Sequence, residues 1–225
     1  MDHTRPTCLC RAIGRRPPAP GDAGRKERVL DAAVAVLQEH GYQATSMDRI
    51  AALCGMSKKT LYQLFESRQL LFESLLVDRL FNSNLIDLEL QGATPRERLS
   101  FGMRHLAAEL LAPKRLVLLR AVVSELSRVP EIATFMQGYF VDNSRVFPLR
   151  SWLRRLGYDT ILTAEELDTA SEHLFGMTVG LLMLGDLAQC KPSKTPEARR
   201  AFIESGVTLF LRAYPLPVPA SGSDS

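Results

Sequence analysis

Helix-start signals recur along this chain so regularly that they leave little room for anything but helices. Thr94-Pro95-Arg96-Glu97 places a hydroxyl at an N-cap, a proline at the first helical position and an acid whose carboxylate can return to the cap. Thr163-Ala164-Glu165-Glu166 repeats the capping box, and Thr195-Pro196 repeats the proline start. Pro113 and Pro130 open two further segments, and Ser67 caps one predicted over 68–85. Between these signals apolar residues fall at helical spacing, with no strand or hairpin pattern. The sequence predicts an all-α chain of about nine helices.

Several boundaries follow from the same reasoning. Val29, Leu30, Ala33, Val36 and Leu37 form one stripe of a first helix over 25–40, which Gly41 stops. Thr45 opens a short second helix, with Asp48 in capping-box position, and Gly55 ends it. Ser57 caps a third helix reaching about Phe65. Pro148 should break or kink the segment opened by Pro130 before Trp152, since it removes a donor and clashes with the preceding turn. A long helix is predicted over 163–187, and Pro215 ends the last one.

Charge matters here by position. The chain carries a net +3, yet the first 68 residues hold 11 basic against 7 acidic side chains while the rest hold 17 against 18. Residues 1–24, with Pro6, Pro17, Pro18 and Pro20 and four arginines, read as a flexible basic arm, and residues 215–225 as a disordered tail. The organisation expected is arm, a small helical unit over 25–70, and a larger helical body over 71–214.

Other classes are disfavoured. The longest apolar run, 174–185, falls short of the ~20 residues of a membrane span and contains Thr178. The N-terminus has no signal-peptide core, and Cys8, Cys10, Cys54 and Cys190 are irregularly spaced, so a reducing, cytoplasmic setting is expected. His3, His40, His105 and His173 are scattered, and Glu165-Glu166 is explained by capping, so no catalytic constellation is expected. His3, Cys8 and Cys10 are close soft ligands without a fourth, which keeps a metal- or thiol-sensing regulator as the alternative reading. Cys54 is expected to be buried and inert; no metal site or cofactor is assigned.

The chemistry concentrates in residues 45–68. Two short helices meet at Gly55-Met56-Ser57, where glycine supplies a tight turn and the small Ala51 permits a close crossing. Ile50 and Leu53 should face inward with Leu61, Leu64 and Phe65. The opposite stripe of the third helix carries Lys58, Lys59, Tyr62 and Gln63. Two cations, a phenol and an amide on an anchored helix suit duplex DNA: cations and hydroxyls hold phosphates, and an amide reads a base edge. The same stripe would also serve as the solvated face of a small helix pair.

Residues 25–70 resemble the DNA-binding domain of the TetR/AcrR family of bacterial transcriptional regulators. The resemblance rests on Gly41-Tyr42, Thr45-Ser46-Met47, Ile50-Ala51, the string Gly55-Met56-Ser57-Lys58-Lys59-Thr60-Leu61-Tyr62, and Phe65-Glu66-Ser67-Arg68-Gln69-Leu70-Leu71. Residues 118–126 and 129–132 resemble one C-terminal domain type of AcrR-like members.

The resemblance implies roles. Thr45 and Ser46 would donate to phosphates at the second helix's N-terminus, and Ser57, Lys58 and Thr60 would hold phosphates at the start of the recognition helix. Tyr62 would contact phosphate or sugar, Lys59 and Gln63 would read guanine and adenine, and Arg68 would grip a phosphate. Leu64 stands where many members have His, which removes one phosphate contact. Arg25 and Lys26 are candidates for nonspecific or minor-groove contacts from the arm.

It further implies a homodimer on a double-stranded operator, with a small apolar or aromatic effector releasing a repressor from DNA. Residues 175–184 are apolar on almost every face, and Gly176 and Gly180, one turn apart, would allow helices to approach closely. Leu184, Leu209 and Phe210 are candidates for the same interface, although the central helix of a monomer would have the same pattern. Phe101, Met103, His105, Met136, Tyr139, Phe140, Trp152, Phe175 and Met177 are candidates to line the effector pocket, although residues of these types at helical spacing are more often plain core.

Overall fold

The computed structural model describes residues 22–81, 84–143, 148–189 and 194–216, and among these there are helices and turns but no strand. They pack into two compact units, one drawn from residues up to 82 together with 117–142, the other from 83–116 and from 143 onward.

The first unit is organised by α1 (Asp22–Ala44), whose helical conformation is interrupted at Gly41 with φ 72° and ψ 172°. The helix begins upstream of the expected boundary at Arg25, so Arg25 and Lys26 belong to it; the rest of the predicted arm, residues 1–21, lies outside the described residues. Val29, Leu30, Ala33, Val36 and Leu37 are all buried, as their spacing requires. Around them pack α2 (Met47–Cys54), α3 (Lys58–Leu64) and α4 (Arg68–Leu76). Leu118 and Val122 of α6 (Pro113–Glu125) and Ile132 and Met136 of α7 (Pro130–Asn143) complete this core.

Helix α4 is shorter than the predicted 68–85 segment and passes into a π-helical turn, Val77–Phe81. Within that turn Arg79 donates to Glu27 (2.7 Å) and Asp31 (2.9 Å) of α1 and to its neighbour Asp78 (2.8 Å). The ion pairs thus tie the end of α4 to the start of α1, a long-range pairing that helical periodicity does not reveal.

The second unit contains a 3₁₀ turn (Asn84–Asp87), α5 (Pro95–Leu110), α8 (Pro148–Arg155), a second 3₁₀ turn (Tyr158–Thr160) and α9 (Ala164–Phe175). A π-helical turn, Gly176–Gly180, leads from α9 into α10 (Leu181–Leu187), and α11 (Pro196–Ala213) closes the unit. The segment predicted from Pro130 is divided, one helix ending at Asn143 and Pro148 starting the next, because proline's fixed φ and missing donor suit a first turn. The capping boxes predicted at Thr94 and Thr163 are closed, unlike the one predicted at Thr45: Glu97 N donates to Thr94 Oγ1 (3.2 Å) and Glu166 N to Thr163 Oγ1 (3.3 Å), with each glutamate accepting from the cap amide in return. Those amide bonds favour the charged form and hold both carboxyls below the usual range.

Two glycines set the packing of this unit. A Cβ on Gly102 would lie 2.8 Å from Cζ3 of Trp152, whose indole is fully buried and donates to Leu85 O at 2.9 Å. A Cβ on Gly206 would overlap Met177 O and lie 2.8 Å from Thr178 Cγ2, so α11 presses directly on the π turn. Within the protomer the close approach of helices is made at Gly206. A Cβ on Gly176 would meet nothing within 4 Å, and the nearest atoms to one on Gly180 would be those of Phe175, at 3.4 Å.

Candidate nucleic-acid interface

The turn between α2 and α3 is built by the backbone. Gly55 adopts φ 67°, ψ 32°, and the amides of Gly55 and Met56 return to Ala52 O (3.3 Å) and Ala51 O (3.0 Å), closing a Schellman motif. Ser57 then leaves in extended conformation and accepts from Thr60 N at 3.1 Å, starting α3. Leu61 and Phe65 are buried and Leu64 half-buried, so one face of this short helix is anchored in the core. Its outward face exposes Lys58, Lys59, Tyr62 and Gln63 together.

Other candidates are placed differently. Thr45 is wholly buried and its hydroxyl donates to Gly41 O at 2.7 Å, so it braces the α1–α2 connection and has no access to a phosphate. The N-cap of α2 is Ser46, exposed, with Oγ accepting from Arg49 N at 3.3 Å. Ser57 Oγ and Thr60 Oγ1 are 2.8 Å apart and hydrogen-bond to each other, leaving Ser57 exposed and Thr60 half-buried. Arg68 is drawn inward: its guanidinium stacks 4.5 Å from the Tyr42 ring centre and donates to Thr45 O at 3.2 Å. Burial pushes the Tyr42 hydroxyl up, with Arg68 opposing the shift.

Leu53 is 58% exposed, contrary to the inward position predicted for it. The stripe of α2 is centred on Met47, Ile50 and Ala51, and Leu53 falls well to one side of it. Cys54 is half-buried rather than buried, with Sγ 3.6 Å from Ala51 O. Arg25 is exposed on α1, and Lys26 Nζ lies 6.0 Å from the Phe65 ring centre.

Sequence reasoning missed Asp48 as a partner. Its carboxylate, in the first turn of α2, holds Lys58 Nζ at 2.7 Å and 3.0 Å. The pairing raises the affinity of that ammonium for its proton. Opposite charges in the first turns of two helices joined by a tight turn were the available signal.

The residues read as pocket lining fall in both units. Met136 is core in the first unit; Met103 and Trp152 are buried core in the second. His105 and Met177 are exposed, with His105 Nδ1 2.9 Å from Phe101 O, while Phe101 and Phe175 are half-buried. The side chains of Tyr139 and Phe140 lie outside the described residues. Of the interface candidates, Phe210 is wholly buried and stacks on Tyr214, so it belongs to the core of its own protomer. Leu184 and Leu209 are 61% and 52% exposed, and Met177 and Leu181 extend the apolar stripe of Leu184 at helical spacing. His3, Cys8, Cys10 and Cys190 lie outside the described residues, and among the described ones no three His, Cys, Asp or Glu side chains gather as a metal site. No described helix is long and apolar enough to cross a membrane.

An all-α chain that presents a cationic, hydrogen-bonding stripe on the second helix of a helix-turn-helix belongs to the class of helix-turn-helix DNA-binding proteins. Residues 29–75 match the family described as bacterial regulatory proteins, tetR family, and residues 97–215 match the AefR-like transcriptional repressor C-terminal domain. The regulator BetI of Rhizobium meliloti is 29% identical over 202 residues, covering 86% of this chain and 95% of that one. YvkB of Bacillus subtilis is 25% identical over 198 residues, covering 83% and 95%. Among solved structures, the flavonoid-responsive regulator FrrA superposes with a TM-score of 0.65 at 26% identity, covering 85% of this chain and 97% of that one. The chain belongs to the TetR family, and it is a DNA-binding transcriptional regulator rather than an enzyme.

Proposed function

We propose that the protein is a cytoplasmic repressor that binds a palindromic operator as a homodimer and is released by a small apolar or aromatic effector. The observation that carries the DNA part is the exposed stripe of Lys58, Lys59, Tyr62 and Gln63 on a helix whose other face is anchored. Lys59 and Gln63 read base edges, as their chemistry suits guanine and adenine. Ser46, Ser57, Lys58, Thr60 and Tyr62 hold the phosphate and sugar backbone, and Arg68 positions the connection beneath them.

One such unit reads only a short half-site, so useful affinity calls for two copies. The exposed residues Met177, Leu181, Leu184 and Leu209 supply an apolar surface for pairing. The effector class is supported by FrrA, a flavonoid-responsive regulator of similar fold, and repression by the match to the AefR-like repressor C-terminal domain. Phe101 and Phe175 remain the candidates for its pocket, being half-buried aromatic rings. Such an effector acts only if it binds more tightly to the conformation that misfits the operator. Footprinting of the purified protein on genomic DNA tests this reading: palindromic protection, lost on adding a planar aromatic effector, is expected. Protection of one asymmetric half-site by a monomer would overturn it.

A further inference from the structure

On the DNA-facing surface, Lys58 is already engaged. Its ammonium, on the first residue of α3, lies 2.7 Å from Asp48 Oδ1 and 3.0 Å from Oδ2. Both side chains are exposed, so the pair is open to an approaching phosphate. Asp48 also occupies the first turn of α2, next to the Ser46 N-cap, and there the positive end of the helix dipole is already compensated by an acid.

We propose that Asp48 is an affinity-setting residue for DNA binding: its carboxylate holds Lys58 away from the phosphate backbone, so that Lys58 contacts DNA only by exchanging one anion for another. This rests on the DNA-binding reading of α3 given above. A free surface lysine gains a full counterion-release term when it meets a phosphate, whereas a paired one must first give up its partner. After the exchange the Asp48 carboxylate remains within a Debye length of the duplex, ~10 Å at 0.1 M salt, and repels it. Both effects are independent of sequence, so Asp48 lowers the affinity for operator and for random DNA alike.

The test is a double-mutant cycle on the full chain, with affinity for operator and for non-operator duplexes measured by fluorescence anisotropy across a salt series. Asp48→Asn should raise both affinities about three- to tenfold at low salt and steepen the salt slope by about one. In a Lys58→Gln background the same substitution should gain about twofold or less, since only the repulsion remains to be relieved. Asp48→Glu, which keeps the charge, should stay close to the wild type and also controls for damage to α2, checked by thermal melting. An equal gain from Asp48→Asn in both backgrounds would overturn the sequestration of Lys58. An unchanged or lowered affinity in a folded Asp48→Asn protein would overturn the whole proposal. Failure of the wild type to bind any duplex would instead count against the DNA-binding reading of α3.

Discussion

The Arg68 guanidinium lies 4.5 Å from the centre of the Tyr42 ring and donates to the carbonyl of Thr45, 3.2 Å away, joining the start of α4 to the connection between α1 and α2. Tyr42 is itself buried edge-on against Phe72, with ring centroids 4.4 Å apart. Arg68 therefore clamps the segment that carries Ser46.

Removing the clamp should cost stability before it costs charge. Arg68→Ala is expected to lower the unfolding free energy by about 1–2 kcal/mol, the combined scale of a cation–π contact and a hydrogen bond. Arg68→Lys should recover only part, because an ammonium cannot lie flat on the ring while reaching the carbonyl. Urea unfolding measures both. The salt slope of DNA binding should stay unchanged in Arg68→Ala, and a fall of about one would return Arg68 to a phosphate contact.

The exposed stripe of α3 divides by chemistry. Tyr62→Phe removes a neutral hydroxyl and should weaken binding to all duplexes equally, with no change of salt slope. Lys59→Ala should flatten the slope by about one and also lower discrimination between operator and random DNA. Anisotropy titrations at several salt concentrations separate the two effects.

The seat of α11 against the π turn makes Gly206 intolerant of any side chain. Gly206→Ala should destabilise by about 1–3 kcal/mol, because the new methyl meets the Met177 carbonyl and Thr178, both held in place. That outweighs the gain of about 1 kcal/mol that alanine brings to a helix. Gly176→Ala, with open space around it, should not destabilise the folded protomer. Thermal unfolding of the two variants gives the comparison.

Tyr158 provides a pH signature for the second unit. Its side chain is wholly buried, its hydroxyl donates to Tyr214 O at 2.8 Å, and burial pushes its pKa up from 10.0 to about 12. A raised folded pKa favours the neutral form in the folded state. Its contribution to stability is therefore complete below pH 10, and is lost as pH rises through about 12. Tyr158→Phe should be less stable at neutral pH by about 1 kcal/mol for the lost hydrogen bond, and should lose less stability than the wild type over that alkaline window. Equal alkaline losses in both proteins would remove Tyr158 as the cause.

Local signals were legible in the sequence, and tertiary ones were not. Ser57, Ser67, Thr94, Thr163 and Thr195 all cap helices where expected, because a cap is decided within four residues. Thr45 and Ser46 are adjacent hydroxyls of similar capping ability; the choice fell to Ser46 because Thr45 turns back to the carbonyl of Gly41. Phe210 and Leu209 are neighbours in sequence with opposite fates, one wholly buried and one 52% exposed, and apolarity alone cannot separate them. The exposed stripe of α3 was readable because it needs only helical spacing and one anchored face. The inward turn of Arg68 depends on the ring of Tyr42, which lies in a different helix.

The most direct test of the central claim is selection of bound sequences from randomised duplexes by the wild type and by Gln63→Ala. The expected result is an enriched palindrome with half-site centres separated by about one helical turn, ~34 Å, or a multiple of it. In Gln63→Ala the same palindrome should persist, with discrimination relaxed at one base position in each half-site. No enrichment by the wild type, or an identical motif from both proteins, would contradict reading of DNA by the exposed face of α3.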